Sequence, residues 1–154
     1  MDMPRPGPAH ALLMRLAGNW SGTEQLSPSP WGPGGAAIGR STCRESLDGM
    51  ALLQDYEEEK DGAIAFRGHG VFLIEPDSQD VLWWWFDSMG FPCMQPARGR
   101  WQGDVLQLER NTPMGDSRYR YELTDGGYRF MIENRFAQQA DFTEFMRGDY
   151  RRVG

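Results

Sequence analysis

Four tight-turn signals, Asp48-Gly49, Asp61-Gly62, Gln102-Gly103 and Asp125-Gly126-Gly127, punctuate the chain, and each is flanked by strand-like runs. Glycine and aspartate tolerate the left-handed backbone that joins two antiparallel strands, so each signal predicts a hairpin. Strands are expected near 19–26, 37–47, 50–60, 63–75, 80–87, 97–102, 104–110, 117–124, 127–136 and 141–152. A long meander leaves two open edges, and pairing the first strand with the last removes both. The expected fold is therefore all-β, a closed up-and-down antiparallel β-barrel of about ten strands. Ala9, Leu12, Leu13 and Leu16 recur instead at helical spacing, which predicts one short helix over 9–17, stopped by Gly18. Residues 1–8, with three prolines and a glycine, read as a flexible arm, and 9–154 as a single barrel domain.

At 154 residues the chain is long enough for one sizeable core, and 12% aromatics with 19 glycines favour strands and turns over helix bundles. A net charge of −6 with scattered basic residues argues against nucleic acid or an anionic bilayer as partner, since both require massed positive charge. The longest apolar run, Val81 to Phe86, is too short to span a membrane. Cys43 and Cys93 are the only cysteines, and no cationic stretch followed by an apolar run opens the chain, so a cytoplasmic protein with reduced thiols is expected. The two cysteines lack zinc spacing and His10 is read as part of the mobile arm, so no metal site and no cofactor are expected.

Hairpin turns set which side chains share a face. Two-residue turns at Asp48-Gly49 and Asp61-Gly62, followed by a connection at Pro76 to Gln79, place Cys43, Leu52, Gln54, Tyr56, His69, Val71, Trp84 and Phe86 on one face, read as the interior. Across Asp125-Gly126, Arg118 meets Glu133 and Glu122 meets Arg129 on a solvated face, while Tyr119, Tyr121, Leu123, Tyr128, Phe130 and Ile132 form an aromatic inner wall. A turn at Gln138-Gln139 adds Asn134, Thr143, Phe145 and Arg147 to that wall. Gly68 and Gly70 clear space beside His69, the candidate acid/base, and Asp87 either assists it or caps the Ser88-Met89-Gly90 turn. Glu57-Glu58-Glu59-Lys60 reads as a solvated charge run. Trp83 and Trp85 read as packing. The Pro/Gly-rich stretches Ser27 to Gly35 and Ser88 to Pro96 are candidate rim loops.

Three segments resemble a bacterial domain-of-unknown-function family, number 1579: Leu16-Ala17-Gly18-Asn19-Trp20 with Gly22; Gln54-Asp55-Tyr56-Glu57 through Phe66-Arg67-Gly68-His69-Gly70; and Trp84-Trp85-Phe86-Asp87-Ser88-Met89-Gly90. The resemblance runs from about residue 10 to the end. The Gly18-Asn19-Trp20 triplet is also similar to the first-strand signature of lipocalins, fatty-acid-binding proteins and nitrobindin-like haem proteins, which implies a calycin-like barrel whose base is closed by Trp20 beneath Arg147 or Arg151. Two departures qualify that likeness. Arg147-Gly148-Asp149-Tyr150 replaces the Arg-x-Tyr pair that holds a carboxylate in fatty-acid-binding proteins, and no histidine follows His69 to ligate haem late in the chain.

The leading functional expectation is a barrel that holds a small hydrophobic or aromatic molecule. Its contacts would be Gln54, Tyr56, His69, Trp84, Phe86, Tyr119, Tyr121, Phe130 and Arg147. A cofactor-independent isomerase, cyclase or hydrolase using His69 with Tyr56 or Asp87 is the alternative. An interaction module filled by its own side chains is the third. A homodimer stays open.

Overall fold

The chain closes on itself without a free sheet edge. In the computed structural model, which describes residues 1–154, a single ring of strands runs β1-β10-β9-β8-β7-β6-β5-β4-β3-β2, each antiparallel to its neighbours. The strands are β1 (Gly18–Leu26), β2 (Gly35–Ser46), β3 (Ala51–Lys60), β4 (Ala63–Ile74) and β5 (Val81–Asp87). They continue as β6 (Ala97–Gln102), β7 (Val105–Thr112), β8 (Gly115–Thr124), β9 (Gly127–Phe136) and β10 (Thr143–Arg152). No helix is long and apolar enough to cross a membrane.

One end is plugged. Helix α1 (Pro8–Leu13) and a 3₁₀ turn (Met14–Leu16) set Leu13 and Leu16 into the core. Pro8 opens the helix, a position where its missing N–H has no intrahelical partner to lose. Regular helix ends earlier than the apolar spacing predicts, and His10 belongs to it, buried rather than in a mobile arm. The Nε1–H of Trp20 donates to the Leu16 carbonyl at 2.9 Å, and the guanidinium that covers its ring is that of Arg152, not Arg147 or Arg151.

Both ladders that contain a bulge depart from the expected register. Asp61 and Gly62, with φ of 52° and 81°, make the expected two-residue turn, and Lys60–Ala63 and Glu59–Ile64 pair across it. Ala65 is then skipped: Glu58 pairs with Phe66, and every later residue of β4 shifts by one. Such an extra residue turns all following side chains to the other face. Gln54 therefore meets Gly70 and Tyr56 meets Gly68, while His69 meets Asp55. The β9–β10 hairpin repeats the device, with Phe145 skipped between Glu144 and Met146. Its freed carbonyl accepts from the Ser27 amide at 2.9 Å, tying the bulge to the loop after β1.

Candidate functional site

At the end opposite α1 the barrel opens into a cavity of about 640 Å³, so its aromatics do not fill it. The loop after β1, the loop after β5 and the β7–β8 turn supply Trp31, Met89 and Met114 to the rim. Trp31 packs against Phe136 and Phe145, with ring centroids 6.2 and 5.8 Å apart.

Trp83 and Trp85 on β5 face inward, as do Tyr119, Tyr128, Phe130 and Ile132 on β8 and β9. A side chain on Gly68 or Gly70 would crowd the wall of the cavity. A Cβ on Gly68 would lie 2.0 Å from the Trp85 ring, and one on Gly70 2.5 Å from Gln54 Oε1 and 2.6 Å from Trp83 Nε1. These glycines make room for the cavity wall, not for His69. Gln54 lies beneath the cavity: its Oε1 accepts from Trp83 Nε1 at 3.1 Å, and its Nε2 faces the Tyr121 hydroxyl at 3.4 Å. Tyr121 is sealed below, packed on Phe130 at 4.5 Å, and burial raises its hydroxyl pKa.

The polar side of the cavity belongs to β3, with β1 and β10 behind it. Glu24 is fully buried, and the Tyr56 hydroxyl stands 2.8 Å from its Oε1 and 2.7 Å from its Oε2. The Tyr150 hydroxyl donates to Glu24 Oε2, and Tyr56 also lies 3.1 Å from Glu58 Oε2. Backbone from β2 makes the cluster possible, since a Cβ on Gly39 would stand 2.3 Å from Glu24 Oε2. Burial lifts the Glu24 carboxyl from 4.5 to about 7, against the opposing pull of the two tyrosine hydrogen bonds. The Tyr56 and Tyr150 hydroxyls are held far above their ordinary range by the same burial and by the nearby carboxylates. Glu58 is buried, not part of a solvated run, and Lys60 Nζ stands 3.8 Å from its Oε1 at the mouth.

Of the residues nominated from sequence, Gln54, Tyr56, Asp87, Tyr119 and Phe130 line the cavity, and Tyr121 supports its floor. Asp87 holds the Trp85 indole with one oxygen (2.9 Å) and the Met89 amide with the other (3.0 Å). His69, Trp84, Phe86 and Arg147 are corrected to the outer face by the two bulges. His69 Nδ1 meets Asp55 Oδ1 at 2.9 Å in solvent, Phe86 is exposed beside it, and Arg147 lies 3.9 Å from Glu144 outside. Val71 turns outward with His69, whereas Trp83 and Trp85 replace Trp84 inside. Sequence reading missed Glu24, Glu58 and Tyr150. A signal existed, because Glu24 shares strand parity with the buried Trp20, and Glu58 with Gln54 and Tyr56.

Closure of the ring around an open internal cavity defines a small β-barrel of the internal-pocket type. The chain belongs to the family described as "Protein of unknown function (DUF1579)", whose model matches residues 5–152. No match was found among curated proteins. Among solved structures it is similar to Rv2717c from M. tuberculosis, at 15% identity and a TM-score of 0.73, over 96% of this chain and 99% of that one. It is also similar to the S-type phycobiliprotein lyase CPES from Guillardia theta, at 8% identity and a TM-score of 0.66, over 94% of this chain and 92% of the other. Both likenesses show the barrel fold.

Proposed function

We propose that this protein binds one small, largely apolar and aromatic molecule inside the barrel, with a polar group of the guest turned toward Tyr56 and Glu58. The cavity carries the reading: about 640 Å³, open at one end, walled by Trp83, Trp85, Tyr119 and Phe130, with polar groups confined to a few places. Pockets of that size and lining match one small organic guest. Ser117 and Asn134, hydrogen-bonded to each other at 2.9 Å, line the wall away from β3 and offer a second polar point. An elongated ring system with a polar substituent at each end answers this layout. The likeness of fold to a protein named as a phycobiliprotein lyase supports the reading.

Native mass spectrometry of protein purified from a host-like cell tests the reading, with denaturation to release and identify any guest. One small molecule per chain is the expected result. A clean apo mass, together with no retention of any compound from an aromatic library, would sink the proposal.

A further inference from the structure

The Glu24 cluster does not balance its hydrogens as two ionised carboxylates. Tyr56 Oη is within hydrogen-bond reach of both Glu24 oxygens (2.8 and 2.7 Å) and of Glu58 Oε2 (3.1 Å), yet it has one proton to give. With both acids ionised, Tyr56 would satisfy one carboxylate and turn lone pairs toward the other inside a buried site, at high cost. One added proton resolves the geometry: a protonated Glu24 donates to Tyr56, and Tyr56 donates to Glu58. The Lys60 ammonium lies 3.8 Å from Glu58, and no basic side chain contacts Glu24. Negative charge therefore settles on Glu58 and the proton on Glu24. Two carboxyls in contrasting surroundings separate in this way into an acid and a base.

We propose that Glu58 and Tyr56, recharged by Glu24, form a cofactor-independent acid–base site acting on a carbonyl compound bound in the cavity. The inference rests on the binding reading above. Tyr56 and Glu58 line the cavity, and Glu24 stands behind them as the proton reservoir. Glu58 takes a proton from the carbon beside the carbonyl, and the C–H electron pair becomes a carbon–carbon double bond. The carbonyl π pair takes the Tyr56 hydroxyl proton to give an enol, and Glu24 passes its proton to Tyr56. In the return, the enol proton goes back through Tyr56 to Glu24. Glu58 then protonates the same carbon, or the far carbon of a conjugated enol, which moves the double bond. No oxidant, reductant or second substrate is consumed.

The titratable groups facing Glu24 are Tyr56 and Glu58 from β3, Tyr150 from β10 and Tyr128 from β9, while β2 sets Ala37 and Gly39 beside it, neither of which titrates. With Glu24 titrating at about 7, turnover falls as pH rises through that value.

The test uses the full chain with β-tetralone in heavy water. Deuterium entering the carbons beside the carbonyl is read by mass spectrometry, and binding is read in parallel by quenching of tryptophan fluorescence. Exchange about 100-fold or more above buffer is expected, the range for a positioned acid or base. Glu58→Gln should bind the ketone and return exchange to the buffer rate. Glu24→Gln, of the same shape, should bind it, exchange more slowly because Tyr56 has lost its proton source, and show no fall in rate as pH rises through about 7. Binding without faster exchange overturns the inference, as does acceleration that survives Glu58→Gln. Absence of ketone binding overturns the ketone class alone, since the binding reading stands or falls on the native mass. If Glu58→Gln does not fold, Tyr56→Phe takes its place, with the same loss expected.

Discussion

Two walls of the barrel, the β8–β9 hairpin and the β3–β4 hairpin, stand on opposite sides of the ring and are built from the same turn chemistry to different ends. Asp125-Gly126 and Asp61-Gly62 each join two strands in two residues. Beyond the first, pairing runs without interruption from Thr124–Gly127 to Gly115–Phe136, and every aromatic on one parity faces inward. Beyond the second, Ala65 is skipped within a few residues, and the rest of β4 reverses. The reversed register buries Phe72 against Trp83 with rings stacked 5.5 Å apart, and sends His69 out to Asp55. Unbulged pairing would bury His69 and Arg67 and expose Phe66 and Phe72. Turn chemistry thus sets where a hairpin starts, and burial sets which face it keeps.

Reversing the polarity of the buried face breaks this comparison most severely. Phe72→Asp sets a carboxylate against Trp83 in the core, so the barrel should lose about 4 kcal/mol or more and fail to fold. Deletion of Ala65 should instead be tolerated, because Glu59–Ile64 and Glu58–Phe66 then become consecutive pairs and His69 stays outside. Circular dichroism and size-exclusion chromatography would report both, and a stable, fully folded Phe72→Asp variant would contradict the assigned register.

Next in size is the acid behind β3. Folded Glu24 titrates at about 7 and its unfolded reference at 4.5, so the folded chain keeps a proton that the unfolded chain releases between those values. Its contribution is fully present below about 4.5, declines as pH rises, and levels off above about 7. Glu24→Gln should therefore gain up to about 3 kcal/mol relative to wild type on going from acid to alkaline pH. Urea melts at a series of pH values would measure it, and parallel pH curves for the two proteins would refute the buried acid.

A smaller loss is expected for Gly70→Ala, whose new methyl would meet Gln54 Oε1 and Trp83 Nε1 within 2.6 Å. Overpacking of that kind costs about 1–3 kcal/mol and should blunt the near-ultraviolet signal of the tryptophans. At the bottom of the scale lies His69→Ala. An exposed His69–Asp55 pair contributes little, so melting should shift by no more than about 0.5 kcal/mol and guest uptake should not change. A large loss in either would return His69 to the interior.

Much of the fold was legible because its signals are local. Asp-Gly turns, alternation and the helical spacing of Leu12, Leu13 and Leu16 act over a few residues each, and the pairing of Cys43 with Gln54, His69 with Phe86 and Arg118 with Glu133 follows from them. The candidate site was legible only in part. Tyr119 and Phe130 were visible within one regular hairpin, whereas Glu24, Tyr56, Glu58 and Tyr150 meet only when β1, β3 and β10 are brought together by ring closure.

By itself, then, the sequence determined a ten-strand closed meander with a helix at one end, because turn and pattern energies are short-ranged and repeat along the chain. Only the tertiary structure decided which faces point inward past Ala65 and Phe145. A bulge has no strong local code; it forms where burying Phe72, Trp83 and Trp85 outweighs one unpaired residue in the ladder. It also decided that Glu24 is an interior acid, since a carboxyl's surroundings are set by strands more than a hundred residues away, such as the one carrying Tyr150.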